Sequence, residues 1–246
     1  MKKPQIIAIA EIKGGTGKTS TAAALAQAAI IEGKKVLCID LDPQGNLTLL
    51  LGADPQRPGA PEILNGNPAA EVIQETSFDI DIISGRPDLY IEQPESGSAS
   101  RLRDALEPIQ SNYDLIIIDT PPSLGEMTFN ALQACTGLLA VLDADGSALQ
   151  GLYMITDIAE AAKQTNTKLK VLGCIVAKYN PRTNLERRLR DNIEAKAKKS
   201  RCKYLGEIRQ GVAIREAQAY RKNLFKYAPK SKPAEDYKAL YTMIIK

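Results

Sequence analysis

The segment KGGTGKT, at residues 13–19, constrains this chain of 246 residues more than any other feature. It follows the apolar run IIAIA at residues 6–10 and precedes a helix-forming stretch at residues 21–31. A strand, a glycine-rich loop and a helix in this order are typical of a phosphate-binding loop. The glycines allow backbone N–H groups to surround a polyphosphate, and the helix N-terminus adds a partial positive charge.

The polar residues of this loop have separate expected tasks. Lys18 is expected to reach the β- and γ-phosphates, and Thr19 to offer its hydroxyl to Mg²⁺. Lys13 occupies a position where an ordinary P-loop tolerates many residue types, and it adds a second ammonium group for a triphosphate. We therefore assign nucleotide binding to Gly14, Gly15, Thr16, Gly17, Lys18, Thr19 and Ser20.

Composition excludes several kinds of active site. The chain has no histidine, which excludes Ser-His-Asp hydrolysis, Cys-His proteolysis and His-ligated zinc. Its four scattered cysteines form no CxxC pair, so buried thiols in a reducing cytoplasm are favoured over a metal or iron–sulfur site. No apolar run approaches the roughly 18 residues of a membrane span, and the first strand leaves no room for a signal peptide. We expect a cytoplasmic protein whose chemistry uses carboxylates, lysines, backbone amides and a metal ion.

Apolar runs alternate with helical patterns almost to the end of the chain. This alternation predicts an α/β fold with a doubly wound, mainly parallel sheet flanked by helices. Strands are expected near residues 5–11, 35–41, 79–83, 113–119, 137–142, 170–178 and 203–208, and helices near residues 18–32, 98–110, 126–135, 147–165, 183–199, 212–221 and 233–245. Segments rich in Pro, Gly, Gln and Ser, at residues 52–77 and 84–97, are expected to leave this core. Since no linker or repeat is visible, residues 1–246 are predicted to form one domain.

Two predicted strands end in carboxylates. Asp40 and Asp42 follow the apolar run VLCI, and Asp119 closes the run LIII in a Walker B pattern. In an open α/β sheet, ligands bind at the carboxyl ends of the strands, so these side chains are expected to face the phosphates. We assign Mg²⁺ to Thr19, Asp119 and Asp42, with Asp119 acting through a water. The alternative for Asp42 is a turn cap.

Asn180 follows another predicted strand, in the sequence VAKYNPR. Its side-chain amide is expected to read the base edge of a nucleotide. Asn-Pro is also a common turn dipeptide, so both interpretations stay open. The glycine loop itself has a similar alternative, a tight turn, which the GKT sequence and the downstream IIIDTPP strand disfavour.

Charge is unevenly distributed along the chain. Residues 182–232 contain 16 Lys and Arg against 5 Asp and Glu, a local charge of +11, and the remainder carries −8 within a total of +3. A basic segment of this kind indicates a polyanion-binding surface. The alternative is a solvated, lysine-rich helix face.

These motifs together resemble the ParA/MinD family of P-loop ATPases with a deviant Walker A motif. The resemblance runs from about Ile6 to the C-terminal helix, and DLDPQGN at residues 40–46 is similar to the ParA branch. Further ParA-like landmarks are PPSLG, NAL, ALQGL and REAQA, at residues 121–125, 130–132, 148–152 and 215–219. The resemblance implies an ATPase with slow, partner-stimulated hydrolysis, whose cofactors are ATP and Mg²⁺.

The resemblance also assigns roles within a nucleotide-operated homodimer. It implies that Lys13 crosses to the partner's phosphates while Lys18 serves its own nucleotide, that Asp42 orients or activates the attacking water, and that Gln44 supports the switch near the γ-phosphate. The ATP-bound dimer is expected to bind double-stranded DNA without sequence preference, on the nucleoid, and a ParB-like centromere-binding protein to stimulate hydrolysis. The DNA contacts are assigned to Arg187, Arg188, Lys203, Arg209 and Arg215.

Other members of this superfamily provide the alternatives. A MinD-like ATPase that positions proteins at a membrane or cell pole is the first, because Tyr237, Leu240, Tyr241 and Ile244 have amphipathic spacing. Few basic residues flank that helix, so we expect it to dock on the domain and membrane binding to be absent. A metabolic synthetase is disfavoured by DPQGN, and a nitrogenase-like iron protein by the lack of cysteines near Asp119. The early first strand predicts no N-terminal helix-turn-helix. The sequence does not name the replicon or assign a role to Asp143 and Asp145.

Overall fold

Eight strands form one sheet in the computed structural model, which describes residues 3–90, 98–200 and 202–245. The strands are β1 (Gln5–Ala10), β2 (Val36–Asp40), β3 (Ile73–Glu75), β4 (Asp81–Ile83), β5 (Leu115–Asp119), β6 (Gly137–Asp143), β7 (Lys170–Tyr179) and β8 (Tyr204–Arg209). Their spatial order is β3-β4-β2-β5-β1-β6-β7-β8. All neighbouring strands are parallel except β3 and β4, which pair antiparallel. The predicted doubly wound, mainly parallel α/β fold is confirmed.

Ten α-helices accompany the sheet within the described residues. They are α1 (Lys18–Ile31), α2 (Asn46–Leu51), α3 (Ala60–Leu64), α4 (Arg101–Leu106), α5 (Glu126–Ala134), α6 (Ala148–Lys163), α7 (Asn184–Lys199), α8 (Val212–Ala219), α9 (Leu224–Tyr227) and α10 (Lys232–Ile244). None of the helices in the described parts of the chain combines the length and apolarity needed to cross a membrane.

Strand β1 shows how the sheet separates two cores. Ile6, Ala8 and Ala10 pack into a cluster with α4, α5 and α6, whereas Ile7 and Ile9 pack into a second cluster with α1 and α10. Helices cover both faces of the sheet, so the side chains that point to either face of β1 are apolar, as is typical of parallel sheets. The continuous apolar runs in the sequence have this physical cause.

Helix α1 lies close against the sheet because its side chains are small. Six of its residues are alanine, and all residues from Thr21 to Ala29 are buried. Helix α10 packs against both α1 and strand β8, and the hydroxyl of Tyr237 lies 3.2 Å from the hydroxyl of Thr21. The apolar face of α10 is therefore docked on the domain, as its sparse basic flanks predicted.

Three regions differ from the predicted elements. Residues 52–77 do not lie wholly outside the core, because they contain α3 and the edge strand β3. The prediction for residues 84–97 extends over residues 91–97, which lie outside the described residues. The helix expected at 98–110 is only six residues long, with 3₁₀ turns at 98–100 and 110–112. Short elements such as α2, α3, α9 and β3 have too few residues to produce a recognisable period.

Candidate active site

A cavity of about 480 Å³ lies at the carboxyl edge of the sheet, directly above the glycine loop. Strand β1 leads into this loop from the middle of the sheet, between β5 and β6. The cavity is lined by Gly14, Gly15, Thr16, Gly17, Lys18, Thr19, Ser20, Asp42, Asn46, Leu49, Leu50, Pro122, Lys178 and Gln218. All seven loop residues assigned to the nucleotide from the sequence therefore face one cavity, whereas Asn180 is not among its lining residues.

The loop bends through two left-handed glycines. Gly15 has φ 76° and Gly17 has φ 103°, conformations that glycine adopts without the steric cost of a Cβ atom. Gly17 also faces β7, where an added Cβ would come into van der Waals contact with the Cβ of Ala177, at 3.4 Å. This bend sets Lys18 as the first residue of α1, so the unpaired N–H groups of the helix start face the cavity.

Lys18 is buried beneath the loop. Its Nζ donates to the backbone carbonyl of Lys13 at 3.3 Å. Burial lowers the pKa of Lys18, while the nearby carboxylates of Asp119 and Asp42 oppose that shift. An ammonium group held beneath the loop in this way is available for an anionic ligand in the cavity.

Asp119 and Thr19 form the candidate magnesium site. The hydroxyl of Thr19 donates to Oδ2 of Asp119 at 2.7 Å, and Oδ1 of the same carboxyl group is buried without a partner. Burial and the neighbouring Asp40 raise the pKa of Asp119 well above its usual range. A buried oxygen without a donor, beside a hydroxyl group, fits the oxygen-only coordination of Mg²⁺.

The two aspartates after β2 have different surroundings. Asp40 accepts hydrogen bonds from the backbone N–H and the hydroxyl of Thr48, at 2.9 and 2.8 Å, and its burial raises its pKa to about 6. It therefore holds the start of α2. Asp42 lines the cavity and accepts from the backbone N–H of Gln44 at 2.9 Å, so the carboxylate also makes the turn contact that was its alternative. The side chain of Gln44 is exposed and does not line the cavity.

Lys13 points away from Lys18 in this single chain. Its ammonium group forms an ion pair with Asp145 and lies 3.6 Å from Asp143. The hydrogen bond to Asp145 raises the pKa of Lys13. Both aspartates lie where β6 ends. No role was assigned to Asp143 or Asp145 from the sequence, and in the structure they hold the ammonium group of Lys13.

A second cavity, of about 260 Å³, lies behind the glycine loop on the β6 side. Its walls include Glu11, whose Oε1 accepts from the backbone N–H of Ile12 at 2.7 Å while Oε2 is buried without a partner. Burial raises the pKa of Glu11. Gly151 leaves the space for this carboxyl group, since a Cβ there would lie 2.4 Å from Oε1.

Six residues of the nucleotide cavity were not assigned from the sequence, and two of them, Gln218 and Lys178, contact the loop or the start of α1. Gln218 donates from Nε2 to the hydroxyl of Ser20 at 2.9 Å, and Lys178 donates from Nζ to the backbone carbonyl of Gly15. Gln218 lies within the ParA-like landmark REAQA but received no role there, and Lys178 lies near the end of a strand, as Asn180 does. The side chain of Asn180 does not line the cavity, and its Oδ1 accepts from the N–H of Arg182 at 3.1 Å in a turn.

The five residues assigned to DNA do not form one cluster. Arg187, Arg188 and Arg215 are exposed, on α7 and α8. Arg209 ends β8 at the carboxyl edge of the sheet, and its Nε donates to Asp236 at 2.8 Å. Lys203 precedes β8 at the opposite edge, beside Lys168 and Lys170. Four of these residues therefore lie near the carboxyl edge of the sheet, and Lys203 lies apart from them at the amino edge.

Comparison with known proteins decides the family. A family profile described as an AAA domain matches residues 4–171. The chain is 34% identical to the chromosome-partitioning ATPase Soj of Thermus thermophilus, covering 97% of this chain and 94% of that protein. It is 35% identical to the sporulation initiation inhibitor protein Soj of Bacillus subtilis, covering 95% of each. The chain belongs to the ParA/Soj family of P-loop ATPases.

Structural comparison of this ParA/Soj family member finds a similar fold in a protein solved with a bound nucleotide analogue. A cobyrinic acid a,c-diamide synthase from Mycobacterium smegmatis, solved with an ATP analogue and magnesium, superposes with a TM-score of 0.83. It is 29% identical and covers 97% of this chain and 93% of that one. The protein is an ATPase that uses ATP and Mg²⁺, as the sequence predicted.

Proposed function

We propose that this ATPase partitions DNA on the nucleoid: ATP promotes a homodimer that binds duplex DNA without sequence preference, and hydrolysis releases it. The hydrogen bond between Gln218 and Ser20 carries this proposal. Ser20 lies in the first turn of α1, beside the phosphate-binding loop, and Gln218 lies one turn after the exposed Arg215 on α8. Occupation of the loop can therefore change the position of the helix that carries Arg215 through one side-chain contact.

The chain's own residues supply the catalytic groups in this proposal. Lys18 binds the β- and γ-phosphates from below the loop, and Asp42, at the cavity wall, orients the attacking water. Thr19 and Asp119 hold Mg²⁺, which supplies charge neutralisation at the phosphates when it is bound. The transition state of phosphoryl transfer is loose, so positioning by one carboxylate contributes more than strong basicity.

Lys13 connects hydrolysis to dimerisation in the proposal. Its contacts to Asp143 and Asp145 hold it away from its own cavity. A second copy of the chain, presenting a triphosphate to this surface, would offer the ammonium group a more strongly charged partner than two aspartates whose side chains are 32% and 33% exposed. ATP, with its additional phosphate, then favours the dimer more than ADP does, which is the condition for a switch.

The basic residues at the carboxyl edge favour DNA as the ligand of the dimer. Arg187, Arg188 and Arg215 are exposed and have no carboxylate within ion-pair distance among the described residues. Nonspecific binding requires little more than such cations near phosphates. The burial of the apolar side chains of α10 favours this function over membrane anchoring. We propose that a ParB-like protein stimulates the slow hydrolysis.

The test is retention of duplex DNA with different nucleotides. With ATP and Mg²⁺ we expect dimers in size-exclusion chromatography and DNA retention that weakens steeply with added salt. With ADP we expect monomers and weak retention. Equal retention with ADP and ATP would contradict the switch, and ATP-dependent sedimentation with liposomes without DNA retention would indicate the MinD-like alternative.

A further inference from the structure

Lys178 has a backbone conformation that is uncommon for a lysine. It lies near the end of β7 with φ 56°, in the left-handed region, where a side chain with a Cβ atom costs on the order of 1 kcal/mol. The neighbouring residues Ala177 and Tyr179 are buried, whereas the side chain of Lys178 is exposed. The surrounding strand therefore imposes a costly conformation that directs this side chain over the glycine loop.

The ammonium group of Lys178 has unused hydrogen-bonding capacity at the cavity. Nζ donates to the backbone carbonyl of Gly15, and the residue lines the cavity that contains the glycine loop. An ammonium group has three donors, so one contact to a carbonyl leaves two for oxygen atoms of a ligand. Its partner is neutral, which leaves the positive charge uncompensated.

Lys178 differs from the other two lysines near the glycine loop in its charged surroundings. Lys13 lies beside two carboxylates, and Lys18 is influenced by Asp119 and Asp42. For Lys178, no carboxylate lies within ion-pair distance in the described part of the chain. Lys18 is buried, and Lys13 is exposed but paired with Asp143 and Asp145. Lys178 is therefore the lysine beside the glycine loop whose charge is both exposed and unpaired within the described residues.

We propose that Lys178 is a nucleotide-binding residue that bridges the Gly15 carbonyl and the phosphates of the bound nucleotide. The bridge closes the cavity on the β7 side, opposite Asp42 and Pro122, and slows release of the ligand. The inference rests on nucleotide binding alone and does not depend on DNA partitioning. Loss of DNA binding in the nucleotide-dependent assay would therefore leave it intact.

The test compares Lys178→Met with Lys178→Arg by titration with ADP. Methionine keeps an unbranched stem and the same backbone cost but removes the ammonium group, and arginine retains the charge. We expect ADP affinity to fall about tenfold in Lys178→Met, with faster ADP dissociation, and by less than about threefold in Lys178→Arg. Lys168→Met, an exposed lysine at the other edge of the sheet, is the matched control and should bind ADP like the parent.

Salt dependence separates a phosphate contact from a support of the loop. If Lys178 contacts phosphate, the decrease of ADP affinity with rising salt will be shallower in Lys178→Met than in the parent. Equal affinity of Lys178→Met and the parent would overturn the proposal. A loss of affinity with an unchanged salt dependence would also overturn it, because Lys178 would then only hold the loop. Lys178→Asn, which tolerates the left-handed conformation, replaces the methionine variant if that protein does not fold.

Discussion

The nucleotide cavity and the basic segment at residues 182–232 both concentrate charge, but they hold it differently. In and beneath the cavity, Lys18, Asp42 and Asp119 are buried, and each has a defined contact with a neighbour. In the basic segment, Arg188 and Arg215 are exposed without a carboxylate partner among the described residues. A buried charge acts through a few fixed contacts, whereas exposed charges act together through a screened field.

This difference separates the expected effects of substitution. Replacing one buried group removes a contact that no other side chain can restore, so the effect on nucleotide chemistry is large. Replacing one exposed arginine removes one of several equivalent charges, so the effect on polyanion binding is small and additive. Variants from the two regions therefore test the proposed division of the molecule.

The largest effect is expected for Lys18→Ala. Truncating a buried, hydrogen-bonded charge costs about 3 kcal/mol, which corresponds to about a 100-fold loss of affinity for ADP and ATP. Calorimetric titration measures it. Lys198→Ala, an exposed lysine of the basic segment, is the control and should retain affinity within about twofold. Similar losses in both variants would contradict the distinction between the regions.

Asp42→Asn is expected to stop turnover while leaving binding nearly intact. Asparagine retains an oxygen for the N–H of Gln44 but cannot orient or deprotonate water as a carboxylate does. We expect the ATPase rate to fall about 100-fold, with ATP affinity within about threefold. Asp54→Asn is a matched control, because Asp54 makes the same contact to the N–H two residues later, at 2.9 Å, in an exposed turn. Parental hydrolysis by Asp42→Asn would refute the assigned role.

The sequence predicts the site where the glycine loop and the strand ends are local features. The loop, Asp42 and Asp119 lie in contiguous motifs whose chemistry depends on their immediate neighbours. The loop and Asp42 line one cavity, and Asp119 is buried beside it, where it accepts a hydrogen bond from Thr19. Lys178 and Gln218 could not be recognised in this way. Their contacts to Gly15 and Ser20 span 163 and 198 residues, so only the fold brings them to the loop.

The basic segment shows the same limit. A local charge of +11 predicts polyanion binding but does not specify which cations face outward. Arg209 is tied to Asp236 of α10, and Lys203 lies at the far edge of the sheet. The ion pair of Arg209 and the position of Lys203 both depend on how the strands and helices pack together. Composition alone does not predict that packing. For this reason, Arg209 and Arg215 are useful as a contrasting pair.

Arg209→Ala is expected to lower stability more than Arg215→Ala. The carboxylate of Asp236 is only 13% exposed and would lose its guanidinium partner. A charged group left without its partner costs about 1–3 kcal/mol, whereas Arg215→Ala should remain within about 0.5 kcal/mol of the parent. Urea unfolding measures both. If the two variants are equally stable, the ion pair at Asp236 does not hold α10 against β8.

The DNA assay should rank the same two variants in the opposite order. Arg215→Ala is expected to reduce DNA affinity several-fold and to lower the salt slope by about one, because it removes one phosphate contact. Arg209→Ala should leave the slope unchanged, since its charge is already paired. A reduced slope in Arg209→Ala would show that the ion pair opens on DNA and that the contact surface extends to β8.

Asp145→Asn is expected to have the smallest effect, and it tests the connection between the two regions. Lys13 is half exposed, with 45% of its side chain accessible, so its pairs with Asp145 and Asp143 contribute no more than about 1 kcal/mol. Weakening them should lower the ATP concentration needed for dimerisation by about two- to fivefold. Analytical ultracentrifugation across an ATP series measures this shift.

The matched control for this prediction is Asp157→Asn, an exposed aspartate on α6 outside both cavities. It should leave the dimerisation midpoint unchanged, because it removes the same charge without releasing Lys13. If both variants move the midpoint equally, net charge rather than the release of Lys13 controls association. If Asp145→Asn requires more ATP than the parent, the aspartate orients Lys13 for the partner's phosphates instead of restraining it, and dimerisation then depends on a preformed geometry around Lys13.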